Sequence, residues 1–350
     1  MSRVPEGPSR RLLLAGALAA VSAAVTGCSS DSEASTSGGA KRLRIGYFAF
    51  PSGDLIVKNK KLLEKALPDH TITWIKFDSG ASVNQAFIGK SLDIAALGSS
   101  PFARGISGSS PIPYKVAWIL DVAGENEALV VREDTGISDV AGLKGRTIAT
   151  PFASTSHYSL LAALETAGLT TSDVKLVDLQ PQAILAAWQR GDIDAAYVWL
   201  PTLDELRKTG TQLTSSKEIG GAGRPTLDLA VVSDDLIAKD PQAIGAWRKA
   251  EAEALRLLES DPDGSVKAVA AELGISAADA RAQLRQGVFL TPEQVASADW
   301  LGTDTGPGKL LGYVTDTGRF LAGQKQIAAA PSADAVRKAF YLEGLSDAVK

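Results

Sequence analysis

From Leu43 onward the chain alternates strand, helix and strand, and this limits it to the α/β class, with mostly parallel sheets and helices on both faces. Leu43 to Phe48 reads as a first strand, and the loop Ala49 to Gly53 leads to a helix with Leu62, Leu63, Ala66 and Leu67 on one side. Thr71 to Phe77, Leu92 to Leu97 and Tyr114 to Leu120 follow as strands, with a helix over Ala81 to Ile88. In such sheets ligands sit beyond the carboxyl ends of the strands, so loops such as Gly98-Ser99-Ser100-Pro101 are where function is sought.

A weak internal echo points to two lobes of similar build. Ala86 to Ala96 runs helix, Gly, Asp, strand, then a loop closed by Pro101, and Ala187 to Ala196 does the same before Trp199-Leu200-Pro201. Asp93 and Asp194, each following a helix-ending Gly, read as local turn residues, and Trp188 as core. Extended segments at Val122 to Val131 and Pro225 to Val232 are the expected crossings. They divide the fold into a first lobe of 41–125 plus 228–350 and a second lobe of 126–227. After Asp240 the pattern is helical, and these helices are expected to pack on the first lobe and carry no chemistry.

The first forty residues stand apart. Arg3, Arg10 and Arg11 precede the uncharged run Leu12 to Val25, too short for a membrane span, which reads as a signal peptide. It ends in Val25-Thr26-Gly27-Cys28, similar to a bacterial lipobox, so residues 1–28 are the leader and Cys28 the lipidation site. Residues 29–40 are Ser, Gly, Thr and acids without apolar pattern, a flexible tether. Ser9-Arg10-Arg11 leaves the Sec and twin-arginine routes both open. The one Cys is thereby used. With only two His, zinc, Cys–His and disulfide chemistry lack their residues, and a net charge of -4 has no footprint for nucleic acid.

The densest chemical signal is Thr150 to Ser159, where a strand, a turn with Ser154, Thr155, Ser156 and His157, and a helix start follow one another. Free amides and the helix dipole make such a start an anion site, although Ser154 or Thr155 acting only as an N-cap explains part of the pattern.

Phe77 to Ser82, Leu97 to Pro101, Asn126 to Val131, Ser156 to Leu164, Leu179-Gln180-Pro181, Ala186 to Trp199 and Pro225 to Asp228 form an ordered set. Together they resemble the taurine-binding proteins of bacterial ABC importers, within the nitrate, sulfonate and bicarbonate group. The resemblance runs from about residue 43 to 232. It implies a two-lobe type II periplasmic-binding fold (venus flytrap), and the lipobox-like stretch adds the expectation of a lipoprotein on the outer face of the cytoplasmic membrane. The resemblance further implies capture of taurine or a related small sulfonate between closing lobes, and delivery to a permease driven by an ATPase subunit. No cofactor, no enzyme activity and a monomer are expected. The alternatives are a binder of other alkanesulfonates and, in a different class, an enzyme on the same fold.

Taurine carries an ammonium two carbons from a sulfonate, so two opposite pockets are required. For the anion the candidates are Thr155, Ser156 and His157 from the second lobe and Ser79, Gly80, Ser99 and Ser100 from first-lobe strand ends; for the cation, Glu127 and Asp228 at the two crossings and the face of Trp199. Gln180, at a strand end, is a further ligand candidate. The first-strand loop Tyr47-Phe48-Ala49-Phe50-Pro51 is more apolar than the family pattern, which suggests room for a bulkier substituent.

Overall fold

The structure, a computed structural model, describes residues 41–350. Ten strands form two five-stranded sheets. The first contains β1 (Lys41–Phe48), β2 (His70–Phe77), β3 (Ile94–Gly98), β4 (Tyr114–Val122) and β10 (Leu227–Ser233), in the order β2-β1-β3-β10-β4. The second contains β5 (Glu127–Arg132), β6 (Thr147–Thr150), β7 (Lys175–Asp178), β8 (Ala195–Trp199) and β9 (Gly210–Ser215), in the order β7-β6-β8-β5-β9. The two orders are the same pattern. Both sheets are mixed: β10 runs antiparallel to β3 and β4, and β5 antiparallel to β8 and β9. In each sheet the reversed strand is the one the chain enters after crossing from the other, and the remaining four strands run in one direction.

The helices before the second crossing are α1 (Gly53–Lys60), α2 (Leu62–Ala66), α3 (Gly80–Ile88), α4 (Ser99–Gly105), α5 (Thr155–Thr166), α6 (Pro181–Arg190), α7 (Thr202–Arg207) and α8 (Ser216–Gly221). After β10 come α9 (Asp234–Lys239), α10 (Pro241–Ser260), α11 (Pro262–Leu273), α12 (Ala277–Leu284), α13 (Pro292–Val295), α14 (Leu310–Gly323), α15 (Ala333–Lys338) and α16 (Leu345–Ala348).

The internal echo is a structural equivalence. Helix α3 feeds β3 and α6 feeds β8, and both strands lie third in their sheets, parallel to the neighbour second in order, β1 and β6 respectively. Asp93 and Asp194 do more than close turns. Asp93 accepts from the Arg44 amide at 2.8 Å and from its guanidinium, whereas Asp194 accepts from the Thr147 amide at 2.8 Å. Each carboxylate therefore pins the neighbouring strand, an economical use of one residue type at the same place in both lobes. Trp188 is core, with its indole N–H donating to Thr209.

The first lobe's core is extended by the C-terminal helices, which supply Trp247, Val269, Leu310 and Val336. Buried Arg248 ties the C-terminal segment to the sheet by donating to the carbonyls of Ala117, Tyr341 and Glu343. The expectation that these helices touch only the first lobe needs correction. Gln286, just beyond α12, accepts from Arg207 of α7 at 2.6 Å, and Gln283 donates to Asp204 at 3.0 Å. On α14, Phe320 packs edge-on against Tyr158 of α5. The C-terminal third thus bridges both lobes beside the crossings, where Ala123 donates to the Thr226 carbonyl and Val122 pairs with Val288.

Candidate functional site

A cavity of about 40 Å³ lies between the two sheets, bordered by Phe48 and Phe50 after β1, Ser79 and Gly80 at the start of α3, Asn126 and Glu127 at the first crossing, and Asp228 at the second. Gly98, Pro101, Ala123, Ser154, Thr155 and Trp199 complete the lining. The volume is a few times the ~10–15 Å³ that one water requires, so the occupant is small. Two glycines are there because neighbours come close. A Cβ on Gly80 would lie 2.5 Å from Pro101, and one on Gly98 would lie 2.8 Å from Thr155 in the other lobe.

Six of the candidates read from the sequence line this cavity: Ser79, Gly80, Glu127, Thr155, Trp199 and Asp228. The others lie outside the lining. Ser99 is buried with its hydroxyl accepting from the Leu227 amide, and Ser100 is buried within α4. Gln180 is the residue before α6, with Oε1 buried and unpartnered. His157 stacks on Phe152 at 4.5 Å, its Nδ1 accepting from the Ala153 amide. Burial and the nearby Arg104 hold its pKa down to about 4, so it is neutral at pH 7 and braces a turn in which Ala153 has a φ of 59°.

The hydroxyl-rich start of α5 differs most from its sequence reading. Ser154 is the N-cap, accepting from the His157 amide at 3.1 Å. Thr155 and Ser156 donate instead to one buried carboxylate oxygen, Glu127 Oε2, at 2.5 and 2.8 Å, and Ser216 donates to Oε1 at 2.6 Å. These hydroxyls serve an anion of the protein itself. Burial raises the pKa of Glu127, while the hydroxyls of Ser216, Thr155, Ser156 and Thr226 work against that rise. The carboxylate also complements the positive end of α5. Changing Thr155 and Ser156 together to Ala should therefore cost more than one cap. A lost donor to a buried charged group is worth ~1.5–3 kcal/mol, and urea titration should show a drop of that order or larger. A loss below ~1 kcal/mol would mean that Glu127 does not depend on them.

The sequence reading missed Asp121. It is fully buried, directly opposite Asp228 across the β4–β10 ladder. A bulge at Leu120 places it there: Leu229 faces Ile119, yet Asp228 faces Asp121. Burial is the main cause that raises both carboxyls, Asp228 to about 7 and Asp121 well above its usual range, and the charge of Glu127 adds to it in each case. A second buried acid pair, Asp54 on α1 and Glu251 on α10, lies behind Asp228. Among the lining residues there is no Lys, Arg, His or Cys.

The apolar first-strand loop enlarges nothing. Phe48 and Phe50 are buried and both line the cavity, so the apolar loop supplies part of its wall.

Comparison with known proteins fits this architecture. Residues 38–275 match the NMT1-like family. The taurine-binding periplasmic protein of Escherichia coli (strain K12) is 39% identical over 265 residues, covering 74% of this chain and 79% of that protein. Among solved structures, the alkanesulfonate-binding protein SsuA of Xanthomonas axonopodis pv. citri superposes with a TM-score of 0.69 at 23% identity, over 86% of this chain and 98% of the other. The aliphatic sulphonate binding protein SsuA of Escherichia coli gives 0.67 at 23% identity, over 87% and 92%. With two mixed sheets of matching strand order joined by paired crossings, the chain belongs to the NMT1-like family and has the two-lobe fold of the periplasmic binding proteins.

Proposed function

We propose that this chain is the exported substrate-binding component of an ABC importer and that it captures taurine. The observation that carries the reading is a small cavity with carboxylates at Asp228 and Glu127, an indole at Trp199, and no basic side chain in its lining. Such a wall selects a cation. The ammonium is assigned to Asp228 and Glu127, with the Trp199 ring as a further face; Trp199 stands directly opposite Glu127 in the β5–β8 ladder. The anionic end is assigned to the start of α3, where the Ser79 hydroxyl makes no capping bond and the first-turn amides, from Gly80 on, have no intrahelical partners. The start of α5 is already committed to Glu127, and Ser156, Ser99, Ser100, His157 and Gln180 support the walls from behind. Closure then follows from contacts that a ligand makes with both lobes at once.

Enzyme chemistry has little to work with in a lining that contains neither Cys nor His, and among the described residues its two carboxylates, Glu127 and Asp228, belong to no group of acids, His or Cys placed to hold a metal ion. A panel of taurine, ethanesulfonate, isethionate and β-alanine tests the assignment by thermal shift, since a ligand of the folded state raises its midpoint. Taurine should give the largest shift, and a larger shift with ethanesulfonate would replace this reading with that of a general alkanesulfonate binder.

Residues 1–28 serve in this proposal as the leader and Cys28 as the lipid anchor, both outside the described residues. The mature protein, a monomer, would then stand on the outer face of the cytoplasmic membrane beside its permease and ATPase subunit. Cys28→Ala should move the protein from the detergent phase to the aqueous phase. Equal partitioning of variant and parent would rule out the anchor.

A further inference from the structure

We propose that the site exchanges a proton for its cationic ligand: Asp121 and Asp228 share a proton between the adjacent strands β4 and β10, and an ammonium group seated beside Asp228 expels it to solvent. The inference rests on the ammonium assignment above and adds the residue that makes recognition proton-linked.

The geometry begins with the bulge at Leu120, which puts the two carboxyls opposite each other on adjacent strands. Side chains of opposed residues in an antiparallel pair project to the same face. Asp121 is inaccessible and its Oδ1 has no donor; Oδ2 has only the Asn126 amide at 3.4 Å. Asp228 stands directly opposite Asp121 in the ladder, and two carboxyls so placed bond to each other only through a proton. The surroundings hold that proton in place. Glu127 faces the pair from β5 and Asp54 from α1, with Glu251 of α10 behind Asp54. Strand β3, which packs against β10, contributes no titratable side chain over Ile94–Gly98, and Arg104 of α4 acts on His157. Acids without a facing base cannot all be ionised in a dry site, and their titrations belong to the group rather than to single residues.

A ligand ammonium changes this balance. Its N–H donates to Asp228, the carboxyl O–H bond breaks, the electron pair stays on the carboxylate, and the proton passes to buffer. Asp121 is thus a specificity-determining residue that does not line the cavity. It keeps the empty site close to neutral, so a cation is accepted by exchange rather than by adding charge. An anion lacking an amine makes the opposite demand, because it favours protonated carboxyls.

Isothermal titration in two buffers of different ionisation enthalpy counts the protons. At pH 6.5 taurine should release roughly one proton per molecule bound, and less as pH rises to the point where the carboxyl pair has already lost its shared proton. Ethanesulfonate should release none or take one up. In Asp121→Asn the Asn amide can donate to Asp228 directly, so taurine should still bind while release at pH 6.5 falls to near zero. If that variant does not fold, the buffer series on the parent protein decides alone. Taurine binding with no buffer dependence at pH 6.5 would overturn the exchange but leave the taurine assignment standing. Ethanesulfonate binding without taurine binding would overturn the assignment itself, and the exchange with it.

Discussion

Asp228→Asn should weaken taurine binding ten- to a hundredfold while ethanesulfonate holds its affinity or gains. The substitution keeps the shape of the side chain and its hydrogen-bonding capacity but removes the charge. A charge-assisted bond contributes ~1.5–3 kcal/mol, which sets the expected range. Ethanesulfonate has no ammonium, and for it the variant removes a carboxyl that lines the cavity with Glu127 and Asp121 nearby. Calorimetry at pH 8, where Asp228 of the parent protein is mostly ionised, gives the cleanest contrast. Parallel losses for both ligands would make Asp228 a structural residue and remove the main physical support for a zwitterionic substrate.

The second large effect is on the empty protein, whose stability should fall as pH rises from about 4 to 7. Burial is the main cause that raises Asp54 to about 6 and Asp228 to about 7, and it also raises Asp121 and Glu251 well above the usual carboxyl range. An unfolded carboxyl titrates near 4. Between these values the folded chain therefore binds more protons than the unfolded chain, and unfolding free energy decreases with pH. This is the reverse of the usual salt-bridged carboxylate. Each tenfold gain in a carboxyl's proton affinity on folding corresponds to about 1.4 kcal/mol, so the two acid pairs together account for several kcal/mol. Urea midpoints of the ligand-free protein should be higher at pH 5 than at pH 8, with the difference reduced in Asp54→Asn. A midpoint that rises over this interval would show that the acid pairs are hydrated and ordinary.

How much of this was legible beforehand depended on whether the signal was local. The two lobes could be read from strand–helix periodicity and from the repeated Gly-Asp-strand unit at 89–94 and 191–195. Glu127 and Asp228 stood out because each is a lone acid at the edge of an apolar strand, and both line the cavity. The hydroxyls of Thr155 and Ser156 were visible, but their partner Glu127 lies 28 and 29 residues away, and no local pattern distinguishes a hydroxyl offered to a ligand from one donated to a carboxylate. Asp121 was hidden for a similar reason. It ends the run Trp118-Ile119-Leu120, and its meaning depends on a bulge in a pairing with a strand more than a hundred residues later. A charged residue following the apolar run Val116 to Leu120 was the one available hint. Gln283 and Gln286 look like ordinary polar positions at a helix end, and only the tertiary fold brings them to Asp204 and Arg207.

The acid-lined cavity also determines which solutes fail to arrive. Inorganic sulfate resembles a sulfonate headgroup in shape but carries two negative charges and no amine, and it approaches a cleft with Asp228 and Glu127 in its walls and no Lys or Arg to greet it. Like-charge juxtaposition rejects wrong partners and slows their encounter before any contact is made. A zwitterion has no net charge to repel and can turn its positive end inward as it enters. Discrimination against the simpler oxyanion therefore requires neither a larger cavity nor a tighter one. It comes from the second negative charge, which finds no basic side chain in the lining and no amine of its own to set against the buried acids, and it would operate even when sulfate greatly outnumbers the solute being collected.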